Sequence, residues 1–258
     1  MKLEIIRMSF ESLLANKTRS FLSMLGIIIG VSTVIAVFAI GQGAQQAVDE
    51  QFQGLSANSI LVMQMRGKTE SSNLKTTDSE IIVENCSHIS EATAVIQESM
   101  AVSFESEEGS FSISGIESNY FKMSSIEIDK GMLISAEDIV GNEKVAVLGS
   151  GVVEELFENT DEIIGKNIKI NGKTIEIIGT IKETGRSMGK NSLDDTIFLP
   201  NTMAEKSILG SKAFIMIFTI ADDVENIEIA SEEIVSVLRN EHNLKDSQAD
   251  DFRIMDAG

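Results

Sequence analysis

The chain has 258 residues, 43% of them hydrophobic, and a formal net charge of −19 from 21 basic and 40 acidic side chains. That length and apolar content can bury a real core, while the strong acidity favours solubility and opposes binding to nucleic acid or anionic lipid. A lone cysteine, Cys86, excludes an intramolecular disulfide framework, so the fold must hold by packing alone.

The first 19 residues set Leu3, Ile6, Phe10, Leu13 and Leu14 at helical spacing among Lys2, Glu4, Arg7 and Glu11. This predicts an amphipathic helix over residues 1–19 lying along the inner membrane surface, with a plain cytoplasmic extension of the following helix as the alternative. No charged residue then occurs between Arg19 and Asp49. The run from Phe21 to Ile40 is almost entirely apolar, and about 20 such residues at ~1.5 Å each cross a hydrocarbon core of about 30 Å. A core helix rarely stays uncharged for so long, and a secretory apolar region is usually about 7–15 residues, although Gly41 and Gly43 imitate a cleavage site. The run therefore predicts a transmembrane helix over residues 20–43. Lys2, Arg7, Lys17 and Arg19 ahead of it place the N-terminus in the cytoplasm by the positive-inside rule. Residues after about 44 are then extracytoplasmic, carrying 17 basic against 38 acidic side chains. Within the span, Gly26 and Gly30 form a G-x-x-x-G pattern that admits close packing of another membrane helix. Gly41 and Gly43, where the helix should leave the lipid, are a candidate hinge or a tolerated irregularity.

Beyond the span, "GQGAQQAVDEQFQGLSAN" carries Ala47, Val48, Phe52 and Leu55 as a stripe, which predicts a stalk-like helix over residues 44–58. "NSILVMQM" reads as a strand, and Thr77 to Glu80 matches the S/T-x-x-E capping box ahead of Ile81 and Ile82. In "MAVSFESEEGSFSIS", Val102, Phe104, Phe111 and Ile113 alternate about a Glu-rich, Gly-containing turn, predicting a hairpin with one wet face. In "NIKINGKTIEIIGTI", Asn171-Gly172 supplies the pair that a tight hairpin needs for positive φ. "AFIMIFTI" predicts a buried strand, Ile227, Ile234 and Leu238 mark a helix, and "DFRIM" a final strand. Two β-α-β units thus flank a hairpin region, which predicts a split α+β domain over residues 59–113 and 188–258 with a β-rich insertion over 114–187.

No catalytic constellation emerges. Gly149-Ser150-Gly151 sits between a strand and a helix like a nucleotide-binding turn, but Glu154 occupies the third glycine position and no long βαβ series follows. Gly185 to Lys190, "GRSMGK", has its glycines one residue too close for a phosphate loop, and Asn191 stands where Ser or Thr must hold magnesium. Asp194-Asp195 and Asp222-Asp223 read as solvated turns, and the pair Cys86 and His88 lacks the further ligands of a metal site. The sequence therefore predicts no catalytic residue, cofactor or metal, and places any ATP chemistry on another chain.

"LLANKTRSFLSMLGIIIGVSTVIAVFAIGQGAQQ", "GIESNYF", "KVAVLGSGVVEELF", "IIGKNIKINGKTIEIIGTI" and "DDTIFLP" closely resemble MacB/FtsX-like ABC transporter permeases across essentially the whole chain. The resemblance implies the permease component of an ABC-type exporter or mechanotransmission complex. Its extracytoplasmic region would be a porter-like α+β subdomain with an inserted β-rich, sabre-like one. It further implies a separate cytoplasmic ABC ATPase subunit, a permease dimer, a membrane fusion or adaptor protein, and an amphiphilic substrate such as a drug, peptide or lipoprotein. Such permeases carry three further membrane helices after this domain, which these 258 residues do not include. The competing reading is a single-span membrane-anchored sensor or binding module.

Overall fold

The computed structural model describes residues 17–52, 58–65, 72–158, 162–185, 187–188, 191–210 and 213–256. The amphipathic helix expected over residues 1–19 lies almost wholly outside them. The chain divides into two compact units, residues 1–50 and 51–258.

In the first unit the apolar run forms α1, Lys17–Phe52, a single helix of 36 residues whose last turns extend to Phe52. Its apolar side chains face every direction, and those described are exposed, from Leu25 at 40% to Val34 at 69%. A helix hydrophobic all round needs an apolar surrounding, and the described side chains of this one lie exposed rather than buried as those of a core helix are.

The second unit is a mixed α+β body built on a ten-stranded sheet. Strands β1 (Ser59–Gln64), β2 (Ile89–Phe104), β11 (Phe214–Ala221) and β12 (Phe252–Asp256) lie in the order β12-β1-β11-β2, every neighbour antiparallel. Helix α2 (Asp78–Asn85) connects β1 to β2, and α7 (Ile227–Glu241) connects β11 to β12, so two β-α-β units interleave. Both helices pack on one face. Ala230, Ile234 and Leu238, four residues apart, meet Ile60, Val62, Ile82, Ala94 and Ile217 there.

The second half of β2 enters a different arrangement. It pairs with β3 (Glu107–Ile116), β3 with β10 (Thr196–Pro200), β10 with β5 (Val145–Leu148), β5 with β7 (Lys173–Ile181), β7 with β6 (Asn167–Ile170), and β6 returns to β2 at Val102 and Ser103. Six strands thus close a ring, with β4 (Ile128–Gly131) added outside β7. Val102, Phe111, Ile113, Leu148, Ile168, Ile170, Ile175, Ile177 and Ile197 fill its interior, and α5 (Ser150–Leu156) contributes Val152 and Leu156 to the same core. Between the ring and the interleaved sheet lies an aromatic cluster in which Phe121 stands edge-on to Phe198 at 5.3 Å and Tyr120 edge-on to Phe218 at 6.1 Å. Tyr120 and Phe121 come from the short α3 (Tyr120–Met123), just beyond β3.

Local signals fare unevenly. The β6–β7 hairpin turns on Asn171 (φ 49°) and Gly172 (φ 73°), both left-handed as its two-residue loop requires. The β2–β3 turn is Glu105-Ser106 rather than the glycine. Gly109 lies within β3, where a Cβ would meet the Phe111 ring at 2.4 Å. The wet face is confined to the outer half of that hairpin, where Ser99 and Ala101 of β2 and Glu108 and Ser110 of β3 are exposed, since Phe111 to Ile116 are buried on both faces. The expected capping box at Thr77 is absent: Thr77 is itself helical in backbone and makes no side-chain cap. Instead Asp78 Oδ2 accepts the Lys75 N–H at 2.8 Å, and Ser79 Oγ lies 2.8 Å from the Thr76 carbonyl. A reciprocal box forms elsewhere, between Ser135 and Asp138 at the start of α4 (Ala136–Gly141).

Two substitutions test this packing. Gly172→Val forces a β-branched residue into positive φ with nothing within 4 Å to relieve or oppose it, and should cost about 1 kcal/mol or more. Phe198→Ala empties the aromatic junction and should cost about 3–5 kcal/mol. Urea unfolding of residues 45–258, expected to fold without the apolar helix, checks both. Equal midpoints for wild type and Phe198→Ala would remove the junction from the account of stability.

Candidate functional site

The segment Lys17–Ala39 of α1, 23 residues long, contains an 18-residue stretch with a mean hydropathy of 2.5, long and apolar enough to cross a membrane. Its polar groups are locally satisfied where they must be: the Thr33 hydroxyl donates to the Ile29 carbonyl at 2.8 Å. Gly26 and Gly30 lie one turn apart, and a Cβ at either would meet nothing of this chain within 4 Å. At Gly41 and Gly43 the backbone remains helical, and the helix runs on through nine further residues to Phe52.

The glycines that imitate nucleotide motifs serve packing. At Gly149 a Cβ would lie 2.2 Å from the Asp194 carbonyl, and at Gly151 2.3 Å from Asp195 Oδ1. The loop at Asp194–Thr196 takes the donors a phosphate would need: Gly149 N–H bonds the Thr196 carbonyl at 2.9 Å and Val152 N–H the Asp194 carbonyl at 3.2 Å. Asp194 in turn holds the next loop, accepting from Thr184 N–H at 2.8 Å and Gly185 N–H at 2.8 Å. Beyond Gly185, the described part of "GRSMGK" is Ser187–Met188, which pairs antiparallel with Asn191–Ser192 as the two short strands β8 and β9. Asp222 and Asp223 are turn residues, Asp223 Oδ1 accepting the Glu225 N–H at 3.0 Å.

Cys86 and His88 separate chemically. Burial, aided by the nearby Glu233 carboxylate, pushes the Cys86 thiol up to about 11, so it is an inert core group. His88 instead meets Glu233 on α7, with Nδ1 2.9 Å from Oε1 and its N–H 3.0 Å from Oε2, and these bonds hold the Glu233 carboxyl below the usual range. Among the described residues no group of three His, Cys, Asp or Glu is placed to hold a metal ion.

Two polar depressions mark the surface of the second unit. One, of about 350 Å³, is lined by Glu80, Glu117, Asn119, Ile139 and Val140. Burial raises the Glu117 carboxyl above its ordinary range although Ser79 Oγ donates to it at 2.9 Å. The other, of about 260 Å³, is lined by Ser99, Ser110, Ser112, Ser192, Glu155 and Asp195. These arrangements bring hydroxyls beside carboxylates without an imidazole to act as base, so neither assembles a nucleophile with its activator.

A cluster that local motifs do not reveal joins His242 to Asp78 and Asp251, all three side chains buried. Asp78 lies 164 residues from His242 in sequence, and only the interleaving of the β-α-β units brings them together.

The family model of the MacB-like periplasmic core domain matches residues 20–237. The uncharacterized ABC transporter permease YknZ of Bacillus subtilis (strain 168) is 31% identical over 254 residues, covering 95% of this chain and 62% of that protein. The macrolide export ATP-binding/permease protein MacB of Chlorobium phaeobacteroides is 30% identical over 256 residues, covering 96% of this chain and 38% of that protein. The chain thus spans 38% to 62% of these two relatives' own lengths. In fold, the periplasmic region of MacB from Actinobacillus actinomycetemcomitans superposes with a TM-score of 0.66 at 20% identity, covering 81% of this chain and 92% of that one. The extracellular domain of the ABC-type transporter YknZ from Gram-positive bacteria gives a TM-score of 0.61 at 19% identity, covering 77% of this chain and all of that domain. With the family model matched over most of its length and the fold shared with MacB and YknZ, this chain belongs to the MacB-like periplasmic core domain family of ABC transporter permeases.

Proposed function

We propose that this chain is the anchored, extracytoplasmic part of an ABC permease, coupling a separate cytoplasmic ATPase to an outer domain that handles an amphiphilic substrate such as a drug, peptide or lipoprotein. One observation carries the reading: a long apolar helix whose described side chains are exposed precedes a domain with the MacB fold. The names of two relatives, ABC transporter permease and macrolide export ATP-binding/permease protein, support it. On this reading α1 spans the cytoplasmic membrane with Arg19 at the inner face, and residues after about 44 lie outside. The chain hydrolyses no ATP itself. Its partners are an ABC ATPase subunit, a second permease copy and a membrane fusion or adaptor protein.

The second unit divides, in this proposal, into a porter-like part made of the interleaved β-α-β units and a sabre-like part made of the strand ring. The unbroken helical backbone of α1 through Gly41 and Gly43 supports a mechanical role, because a continuous helix transmits displacement where a flexible linker does not. Gly26 and Gly30 serve contact with another membrane helix, and Gly41 and Gly43 serve as a hinge in the same element.

Reporter domains fused after residue 60 should behave as exported, and a reporter active only in the cytoplasm would reverse the topology. The purified chain should neither bind nor turn over ATP. In the assembled transporter, a Gly-Ser insertion after Gly43 should leave expression and ATPase association intact while uncoupling transport from hydrolysis. Transport at full wild-type efficiency after that insertion would make α1 a passive anchor.

A further inference from the structure

Where α7 ends, one imidazole is held between two carboxylates inside the protein. His242 Nδ1 lies 2.7 Å from Asp251 Oδ1, and Nε2 lies 3.2 Å from Asp78 Oδ2. The side chains of His242, Asp78 and Asp251 are 1%, 1% and 6% exposed, and the Phe252 ring stands edge-on to the imidazole at 5.8 Å. Each carboxylate also accepts a backbone N–H from the segment ahead of α2: Asp78 Oδ2 from Lys75 at 2.8 Å and Asp251 Oδ2 from Asn73 at 2.7 Å.

With both carboxylates ionised, this geometry admits one protonation state of the ring. A neutral imidazole has one N–H and one lone pair, so between two carboxylate oxygens it must aim the lone pair at one of them. Only the imidazolium donates to both. Loss of that proton would set a lone pair against a buried carboxylate that water cannot reach, in a cluster where Asp78 Oδ1 already has no hydrogen-bond partner. The charged groups that act on His242 are Asp78 on α2 and Asp251 ahead of β12. On its own helix Arg239 is turned away to Asp250 and to the carbonyls of Lys245 and Gln248, and Glu241 is exposed, as are Lys75 and Arg253 on the adjoining segments.

We propose that Asp78, His242 and Asp251 form an alkaline-sensitive latch that, on losing its proton, releases residues 73–78 from the end of α7 while the strand ring stays folded. The latch ties together three places: the start of α2, the end of α7 and the residue before β12. Its release would reach the Glu117 depression directly, because Ser79, next to Asp78, donates to Glu117 Oε1 at 2.9 Å. Burial works against the charge on His242, but the hydrogen bonds and charges of Asp78 and Asp251 outweigh it and hold the imidazole above its ordinary value. The sign follows. A group raised in the folded state contributes its full stabilisation below the unfolded value of about 6.5 and loses it as pH rises through the folded value. The latch is therefore closed in acid and opens toward alkaline pH. This inference rests on the cluster's geometry and is independent of the export reading.

Amide hydrogen exchange of the whole chain in detergent, from about pH 5 to 9.5 and corrected for the intrinsic rate, reads the latch directly. Protection over residues 73–78 should fall by up to tenfold per pH unit above the titration of His242, while β7 and β10 keep theirs. In His242→Gln that segment should exchange fast at every pH, and His88→Gln should behave as wild type. Nitrogen-15 spectra of the imidazole give a reading that needs no variant: His242 should remain doubly protonated above the ordinary imidazole value of about 6.5. Protection at 73–78 that stays level across the range, an unaltered pH-dependent fall in His242→Gln, or a neutral His242 at pH 6 would overturn the latch.

Discussion

One strand governs this domain. β2 runs for 16 residues, pairs with β11 along Ile89–Gln97, and then pairs with β6 at Val102 and Ser103 while keeping β3 beside it from Val95 to Phe104. Membership of two ladders forces it to twist out of an open sheet into a closed ring. Three successive side chains show the consequence. Ala94 packs under the helices, Val95 enters the aromatic cluster, and Ile96 reaches the ring interior. Ala94 and Ile96 share a face, so the helix-covered side of the interleaved sheet becomes the inside of the ring, and the aromatic cluster is what covers the opposite side. A one-residue slip of β2 would exchange all three environments at once, which fixes its register more firmly than any single hydrogen bond.

That arrangement explains what a reader of the sequence can and cannot see. Asn171-Gly172, the run at Phe214–Ala221, and the four-residue spacing of Ala230, Ile234 and Leu238 are local signals whose outcome depends on neighbours a few residues away. Ring closure depends on β6 meeting β2 some 67 residues earlier at Val102 and Ser103, and periodicity carries no record of partner identity. Gly109, Gly149 and Gly151 mislead for the same reason. They look like turn or phosphate glycines, yet Gly149 and Gly151 are small because the loop at Asp194 and Asp195 approaches them, and Gly109 because the Phe111 ring and the distant Glu155 side chain crowd it. Thr77 matched a capping pattern, but Asp78 is drawn to Lys75 N–H and His242, and the helix begins around that carboxylate instead. Of the candidate site, the apolar helix was plain from composition, whereas the depressions and the His242 cluster exist only once the two β-α-β units interleave.

The acidic excess has structural uses of its own. Asp138 completes a capping box, Asp194 organises the loop at Thr184 and Gly185, and Asp223 starts the turn before α7. In each case a carboxylate takes backbone N–H groups that would otherwise lack partners near a helix or loop start. Net charge of −19 therefore does not imply nineteen idle surface charges. Exposed ion pairs such as Lys182 with Glu127 and Lys122 with Glu91 add little, because solvent screens them.

The contrast between the two units sets the physical problem this chain poses. The second unit buries its isoleucines and phenylalanines in three clusters. Conversely, Phe21, Ile27, Val34 and Phe38 of α1 are each more than 60% exposed. In water that surface would cost about 25 cal/mol for every Å² left uncovered, several kcal/mol over a few such side chains. A bilayer removes the cost without asking for any shape complementarity, so lipid alone satisfies most of α1. It does not explain the flat track that Gly26 and Gly30 leave on one side, where backbone is open to close approach. In a surrounding as apolar as the helix itself, association is driven by packing rather than by water, and the place where a second helix gains most is where side chains are absent.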